Sequence, residues 1–156
     1  MYIQLLSIQY MSKQLTKDTV ISILTSGYKA NDELSAMFKT HGISLPQFNV
    51  LRILRGRKGE AANLSTIQER MIHKMSNTTR LIDKLIEGGY VNRFICDKNR
   101  RKIEIFITKK GLELLNTLDI QLETKEQFLI NNLNDKEKEE LMRLLSKVQT
   151  SITSET

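Results

Sequence analysis

Apolar residues recur at helical spacing along most of the chain, and in one stretch they switch to the strict alternation of a strand. Lys17 to His41 is the first helical stretch, with Val20, Ile23, Leu24, Leu34, Met37 and Phe38 in an interrupted stripe and Gly27 and Tyr28 near its middle. Ser44 to Leu54 predicts a second helix. Ser44 followed by Gln47 is a capping box, Pro46 falls in the first turn where its missing N–H does no harm, and Phe48, Leu51 and Leu54 form the inward face. Ser65 with Gln68 repeats the capping box at the head of a short third helix, whose inward residues are Ile67 and Met71. Ile72 to Met75 reads as a turn, and a fourth helix follows from Ser76 as SNTTRLIDKLIEGG. Its spacing puts Thr78, Leu81, Ile82 and Leu85 on one face and leaves Ser76, Asn77, Thr79, Arg80, Asp83 and Lys84 outward. Gly88-Gly89 ends it, because glycine just past a helix takes a left-handed conformation without steric cost.

A strand (YVNRFIC), a basic turn (DKNRR) and a second strand (KIEIFI) come next. Ile103, Ile105 and Ile107 alternate with Glu104 and Phe106, the pattern of a half-buried hairpin. Thr108 caps a long fifth helix along which Leu112, Leu115, Leu118, Leu122, Leu129 and Leu133 recur. Asn134 or Asp135 begins a last helix with Leu141, Leu144, Leu145, Val148 and Ile152 on its apolar side. The fold class expected is mainly α with a small β-hairpin (α+β). Amphipathic helices of this length need a partner to cover their stripes, and a two-fold homodimer is the economical arrangement.

Composition narrows the function by exclusion. The 156 residues suffice for one domain with a real core, and 40% hydrophobic and 27% charged content is ordinary for a water-soluble chain. A single cysteine leaves no disulfide framework within a chain and fits a reducing cytoplasm. No apolar run approaches the length needed to cross a bilayer, so no membrane partner is expected. His41 and His73 are far apart and lack patterned carboxylates, so they predict no metal site; a polar turn residue or a phosphate contact suits His73 better. No nucleophile-base pair or phosphate-cradling glycine loop is legible, which argues against an enzyme and against a cofactor. The opening MYIQLLSIQY lacks the basic start and cleavage site of a signal peptide. It reads either as extra helix packing on a partner subunit or as translated sequence upstream of a start at Met11.

Charge adds the positive signal. Arg70 to Lys110 holds eleven basic residues and four acids, a net +7 against +6 for the whole chain. From Leu112 to Gln149 there are eight acids and five basic residues, so the terminal helices are mildly acidic. A cationic helix followed by a cationic hairpin tip is the electrostatic footprint of duplex binding. The small polar face of the fourth helix suits a groove lined with base edges. A basic turn, Arg55-Gly-Arg-Lys-Gly59, could add phosphate contacts or be a solvated loop.

These residues resemble a known family. Ser76 to Gly111 is similar to the winged helix-turn-helix of the MarR (multiple antibiotic resistance regulator) transcription factors. The likeness rests on STIQERM, SNTTRLIDKLIEGGYVNR and the wing DKNRRKIEIFITKKG, and extends upstream to GISLPQFNVLRIL. Two positions depart from the family pattern. Ile72 stands where glycine is common, and Asn99 stands where an aspartate usually pairs with an arginine to orient the wing, a role Asp97 could take instead. The resemblance implies a sequence-specific regulator of transcription, a repressor that binds a palindromic double-stranded DNA operator as a homodimer. A small, often aromatic or phenolic, ligand would release it. Residues 1–43 and 109–156 would form the helical dimerisation arm around a DNA-binding lobe of 44–108, in one intertwined domain. Ser76, Asn77, Thr79 and Arg80 are the expected major-groove contacts, Arg100 and Arg101 the minor-groove contacts, and Lys84 and Lys98 further DNA-binding positions. Thiol-sensing members carry their reactive cysteine near the N-terminus, so Cys96 is expected to be packed or inert. The rival function is a winged helix used for protein–protein contact without DNA specificity, which predicts an uncharged helix face and wing.

Overall fold

Nothing between Tyr2 and Ser26 breaks a helix: the stretch has neither proline nor glycine. The computed structural model describes residues 2–71, 77–96 and 99–153, with side chains from residue 11 onward except those of 96 and 99–102. Its first helix, α1, runs over Tyr2–Thr40, well past the Lys17–His41 span the apolar stripe predicts. Extending a formed helix is cheaper than nucleating a new one, so a weak stripe does not stop it. α1 ends where Gly42 takes a left-handed φ of 71° and Ile43 donates its N–H back to the Phe38 carbonyl.

α2 spans Leu45–Gly56 and carries the expected capping box. The Ser44 N–H donates to Gln47 Oε1 at 2.8 Å, and the Gln47 N–H donates to Ser44 Oγ at 3.4 Å. Phe48, Leu51 and Leu54 are buried, and so are Val50 and Ile53, so two adjacent stripes face inward. That makes α2 the central helix: it touches α1, α3, α4 and the second strand. Phe38 of α1 packs its ring on Phe48 with centroids 4.5 Å apart.

α3 spans Leu64–Arg70, and here the expectation from sequence needs correcting. The N-cap is Asn63, and Ser65 lies in the first turn. Asn63 Oδ1 accepts from the Thr66 N–H at 2.8 Å, from Ser65 Oγ at 2.7 Å and from Thr66 Oγ1 at 2.9 Å. An asparagine that satisfies the first turn two residues upstream leaves Ser65 no cap to make. Ile67 and Met71 are buried as predicted.

α4 spans Thr78–Glu87 and buries Thr78, Ile82 and Leu85. It stops at a Schellman-type end: Tyr90 N–H donates to the Leu85 carbonyl and Gly89 N–H to that of Ile86, with Gly89 at φ 73°. β1 (Val91–Cys96) and β2 (Asn99–Ile107) form an antiparallel hairpin in which Val91 pairs with Ile107, Arg93 with Ile105 and Ile95 with Ile103. Ala62 extends the sheet from the other side of Ile105 through two backbone hydrogen bonds of 2.8 and 3.0 Å. α5 (Lys109–Leu129) is capped by Thr108, whose Oγ1 accepts from the Gly111 N–H, and α6 spans Asp135–Thr153.

The chain divides into two compact units, Met1–Leu118 and Asp119–Thr156. In the first, the core is built from Phe38, Phe48, Leu51, Ile67, Ile82, Leu85, Val91 and Ile105, with Leu115 and Leu118 fully buried as well. In the second, α6 opens with a capping box between Asn134 and Glu137, and Leu141, Leu144, Val148 and Ile152 stay exposed along one side. Among the described residues no helix is long and apolar enough to cross a membrane.

Candidate nucleic-acid interface

The same periodicity that buries Thr78, Ile82 and Leu85 turns Thr79, Arg80 and Lys84 to solvent. Arg80 and Lys84 make no side-chain ion pair among the described residues, so both cations are available to a ligand. Asn77 is the N-cap and is exposed, and it makes no side-chain cap bond. Polar side chains and helix N–H groups are thus presented together at the start of α4, an arrangement that favours anionic oxygens. Ser76 and Lys98 lie outside the described residues, as do the Ile72–Met75 turn, His73 and Asp97. The side chain of Cys96 is likewise outside them, so its expected inertness has no test here.

The hairpin places the remaining candidates by its backbone register. Ile95 pairs with Ile103, but the next residue, Cys96, pairs with Asn99. Arg100, Arg101 and Lys102 therefore sit in a step of β2 that has no partner on β1. Such a bulge re-aims the backbone away from the ladder, and here it carries three consecutive cations.

Three features at this site escape sequence reasoning. Arg93 Nη1 donates to Asp83 Oδ1 at 2.8 Å, joining the third residue of β1 to the polar face of α4. Arg93 is thus neutralised, although it counts among the eleven cations of the region. The Ala62–Ile105 bridge ties the hairpin to the loop before α3. Finally, Thr108 Oγ1 donates to the Gly89 carbonyl and Lys110 Nζ to the Gly88 carbonyl, both at 2.8 Å, with Lys110 also over the Tyr90 ring. The end of α4 is clamped to the start of α5. The Asp83–Arg93 spacing of ten residues has no local periodic meaning, so only the packed helix and strand reveal it.

No three His, Cys, Asp or Glu side chains gather into a possible metal site among the described residues. Among those residues the one clear carboxyl shift is at Glu140, held below its ordinary range by the hydrogen bond from Arg143 on the exposed surface of α6. That is a surface pair within one helix, of the kind that contributes little to stability and nothing to proton transfer.

A three-helix core with a helix exposing a polar cationic face and a hairpin wing beside it is a winged helix-turn-helix. Residues 43–103, the winged-helix lobe, match the model of the MarR family. The HTH-type transcriptional regulator PecS of Dickeya dadantii is 25% identical over 122 residues, 78% of this chain and 74% of that one. Across the first three such relatives the chain spans 64% to 74% of their length. By structure, the chain is similar to a MarR transcription factor from Planctomyces limnophilus, with a TM-score of 0.69 and 28% identity over 84% of this chain and 95% of that one. A mutant MarR from Escherichia coli, solved in complex with operator DNA, shares the fold at a TM-score of 0.71 and 23% identity, covering 81% of this chain and 89% of that one.

Proposed function

We propose that the protein is a sequence-specific, double-stranded DNA-binding regulator of transcription, acting as a homodimeric repressor on an inverted-repeat operator. The observation that carries this reading is the sorting of α4. It buries Thr78, Ile82 and Leu85, and offers Asn77, Thr79, Arg80 and Lys84 to solvent beside a hairpin step with three adjacent cations. An apolar partner protein would not select for that surface. α4 enters the major groove, Arg80 reads a base or grips a phosphate, and the Arg100–Arg101 step reaches the neighbouring minor groove. Ser76 and Lys98 are further DNA-binding positions in this reading, taken from the sequence alone. The exposed apolar side of α6 supplies a face for the second copy, which sets two α4 helices on one duplex.

A small aromatic or phenolic effector fits the same reading. An open groove of about 420 Å³ lies between the end of α1 and the head of α2, lined in part by Ser35, Lys39, Pro46 and Gln47. Lys39 would pair with an acidic group on such a ligand.

Arg80→Ala is the direct test of the α4 assignment. If Arg80 makes a bidentate hydrogen bond to a base, its removal should cost about 1–3 kcal/mol of operator affinity, confined to one base position. A uniform loss over all sequences would assign Arg80 to phosphate, and no loss at all would remove α4 from the interface.

A further inference from the structure

On the hairpin face that meets α4, support falls away from base to tip. Val91 is buried, Arg93 is about half exposed with its side chain at 43%, and Ile95 is 66% exposed. The same gradient runs along the opposite strand, where Ile105 is buried and Ile103 is 45% exposed. Ala62 is hydrogen-bonded to Ile105, whose partner across the hairpin is Arg93, and the body of the lobe touches this row from both sides, through Ala62 at one end and Asp83 at the other. Beyond it the hairpin projects and its register breaks, delivering Arg100, Arg101 and Lys102.

Arg93 stands at the end of that supported row and reaches across to α4. It borders a small apolar recess together with Thr79 and Ile82 of α4 and Ile103 and Ile105 of β2, and its guanidinium bonds Asp83 at 2.8 Å. The helix that would read the major groove and the wing that would read the minor groove are joined by this charged pair at the point where the wing leaves the body.

We propose that the Asp83–Arg93 pair is a positioning strut that fixes the angle of the wing relative to α4, so that both elements meet one duplex in register. Neither residue touches DNA in this role; they act through Arg100 and Arg101. The proposal rests on the DNA-binding reading above and deepens it. In this chain the bond from Arg93 to α4 supplies an orienting contact from outside the wing tip. Half-exposed pairs contribute little to folding, so the effect belongs to wing orientation rather than to stability.

The test uses the full chain with three variants: Arg93→Ala, Asp83→Ala, and the double reversal Asp83→Arg with Arg93→Asp. A duplex selected from a random pool by the unaltered protein serves as the probe, read by hydroxyl-radical footprinting and by titration. Each single variant should weaken binding by about two- to fivefold per wing, hence about four- to twenty-five-fold for a dimer with two wings. The loss should come with fading protection of the outer minor grooves while the major-groove contacts of α4 persist, and melting temperatures should stay close together. The reversal should restore most of the affinity and the minor-groove protection.

Loss in Arg93→Ala without loss in Asp83→Ala would make Arg93 a direct phosphate contact and overturn the strut. A reversal no better than the single variants would overturn it too. Residual dipolar couplings of the hairpin in the DNA-free protein provide a separate readout. The single variants should broaden its orientation relative to α4 and the reversal should narrow it again; an unchanged orientation overturns the strut. If the unaltered protein binds no duplex but the couplings behave as stated, the function is wrong and the strut stands as a hairpin-positioning device.

Discussion

Gly111→Ala should destabilise the protein, although it removes a glycine from a helix. On helix propensity alone alanine would gain up to about 1 kcal/mol there. A methyl group at this position, however, would fall onto the backbone carbonyl oxygen of Tyr90 and lie 2.8 Å from Ile107 Cγ1. Neither neighbour can yield cheaply. The Tyr90 carbonyl already accepts the Thr108 N–H at 3.0 Å, and the whole turn is clamped by Thr108 and Lys110. Inserting a methyl group into packed backbone costs about 1–3 kcal/mol, occasionally more, so the steric penalty outweighs the propensity gain. Gly27 is the matched control. A methyl group there would meet nothing within 4 Å in the middle of α1, so Gly27→Ala should stabilise the helix by about 0.5–1 kcal/mol. Denaturant unfolding should move the two midpoints in opposite directions. A Gly111→Ala protein as stable as the original would show that the α4–α5 clamp is slack.

Replacing Leu144 and Val148 together with aspartate should abolish dimerisation and sharply weaken operator binding. Leu141, Leu144, Val148 and Ile152 recur on one side of α6 and are all more than a third exposed. Two charges in the centre of such a face would leave unpaired carboxylates in a buried contact, which an association cannot tolerate. A single subunit keeps one α4 and one wing, and loses the second site that makes binding effectively intramolecular. Operator affinity should therefore drop by about 10²–10⁴-fold with the α4 residues intact. Sedimentation should report a monomer that retains its helical content. A protein that remains dimeric would place the contact elsewhere, for instance on the exposed Val20, Ile21, Leu24 and Tyr28 of α1.

The choice of α6 for that experiment shows what periodicity can and cannot reveal. The leucines of α5 and α6 look alike in sequence, and both series invite a partner. Leu115 and Leu118 nevertheless prove fully buried within the chain, while Leu144 and Val148 do not. Spacing identifies an apolar face and says nothing of what covers it. Most of the inward face of α4 was legible because burial at Thr78, Ile82 and Leu85 follows from local spacing alone, whereas Leu81, expected on the same face, is only partly covered. The Ser44 cap was legible because no rival oxygen lies close by. At α3 Asn63 and Ser65 stand two residues apart, and the winner is decided by which donors the first turn presents. α1 was underestimated because a helix continues wherever nothing breaks it, with or without a stripe. The Asp83–Arg93 bond, the Ala62–Ile105 bridge and the clamp on Gly88 and Gly89 join residues ten or more positions apart. They arise only once helix and hairpin have packed.

The central claim is that this surface binds a specific duplex, and a salt titration on a selected duplex tests it most directly. Selection from random double-stranded DNA should yield an inverted repeat with half-site centres about one helical turn, or roughly 10 base pairs, apart. Against that duplex, the logarithm of affinity should fall linearly with the logarithm of salt concentration, with a slope of several units at about 0.9 per neutralised phosphate. If Arg101 lies against phosphate in each subunit, Arg101→Ala should flatten that slope by about one unit for each phosphate left without its cation. No enrichment of any sequence, together with an affinity indifferent to salt, would contradict the claim and favour a winged helix that docks on protein instead.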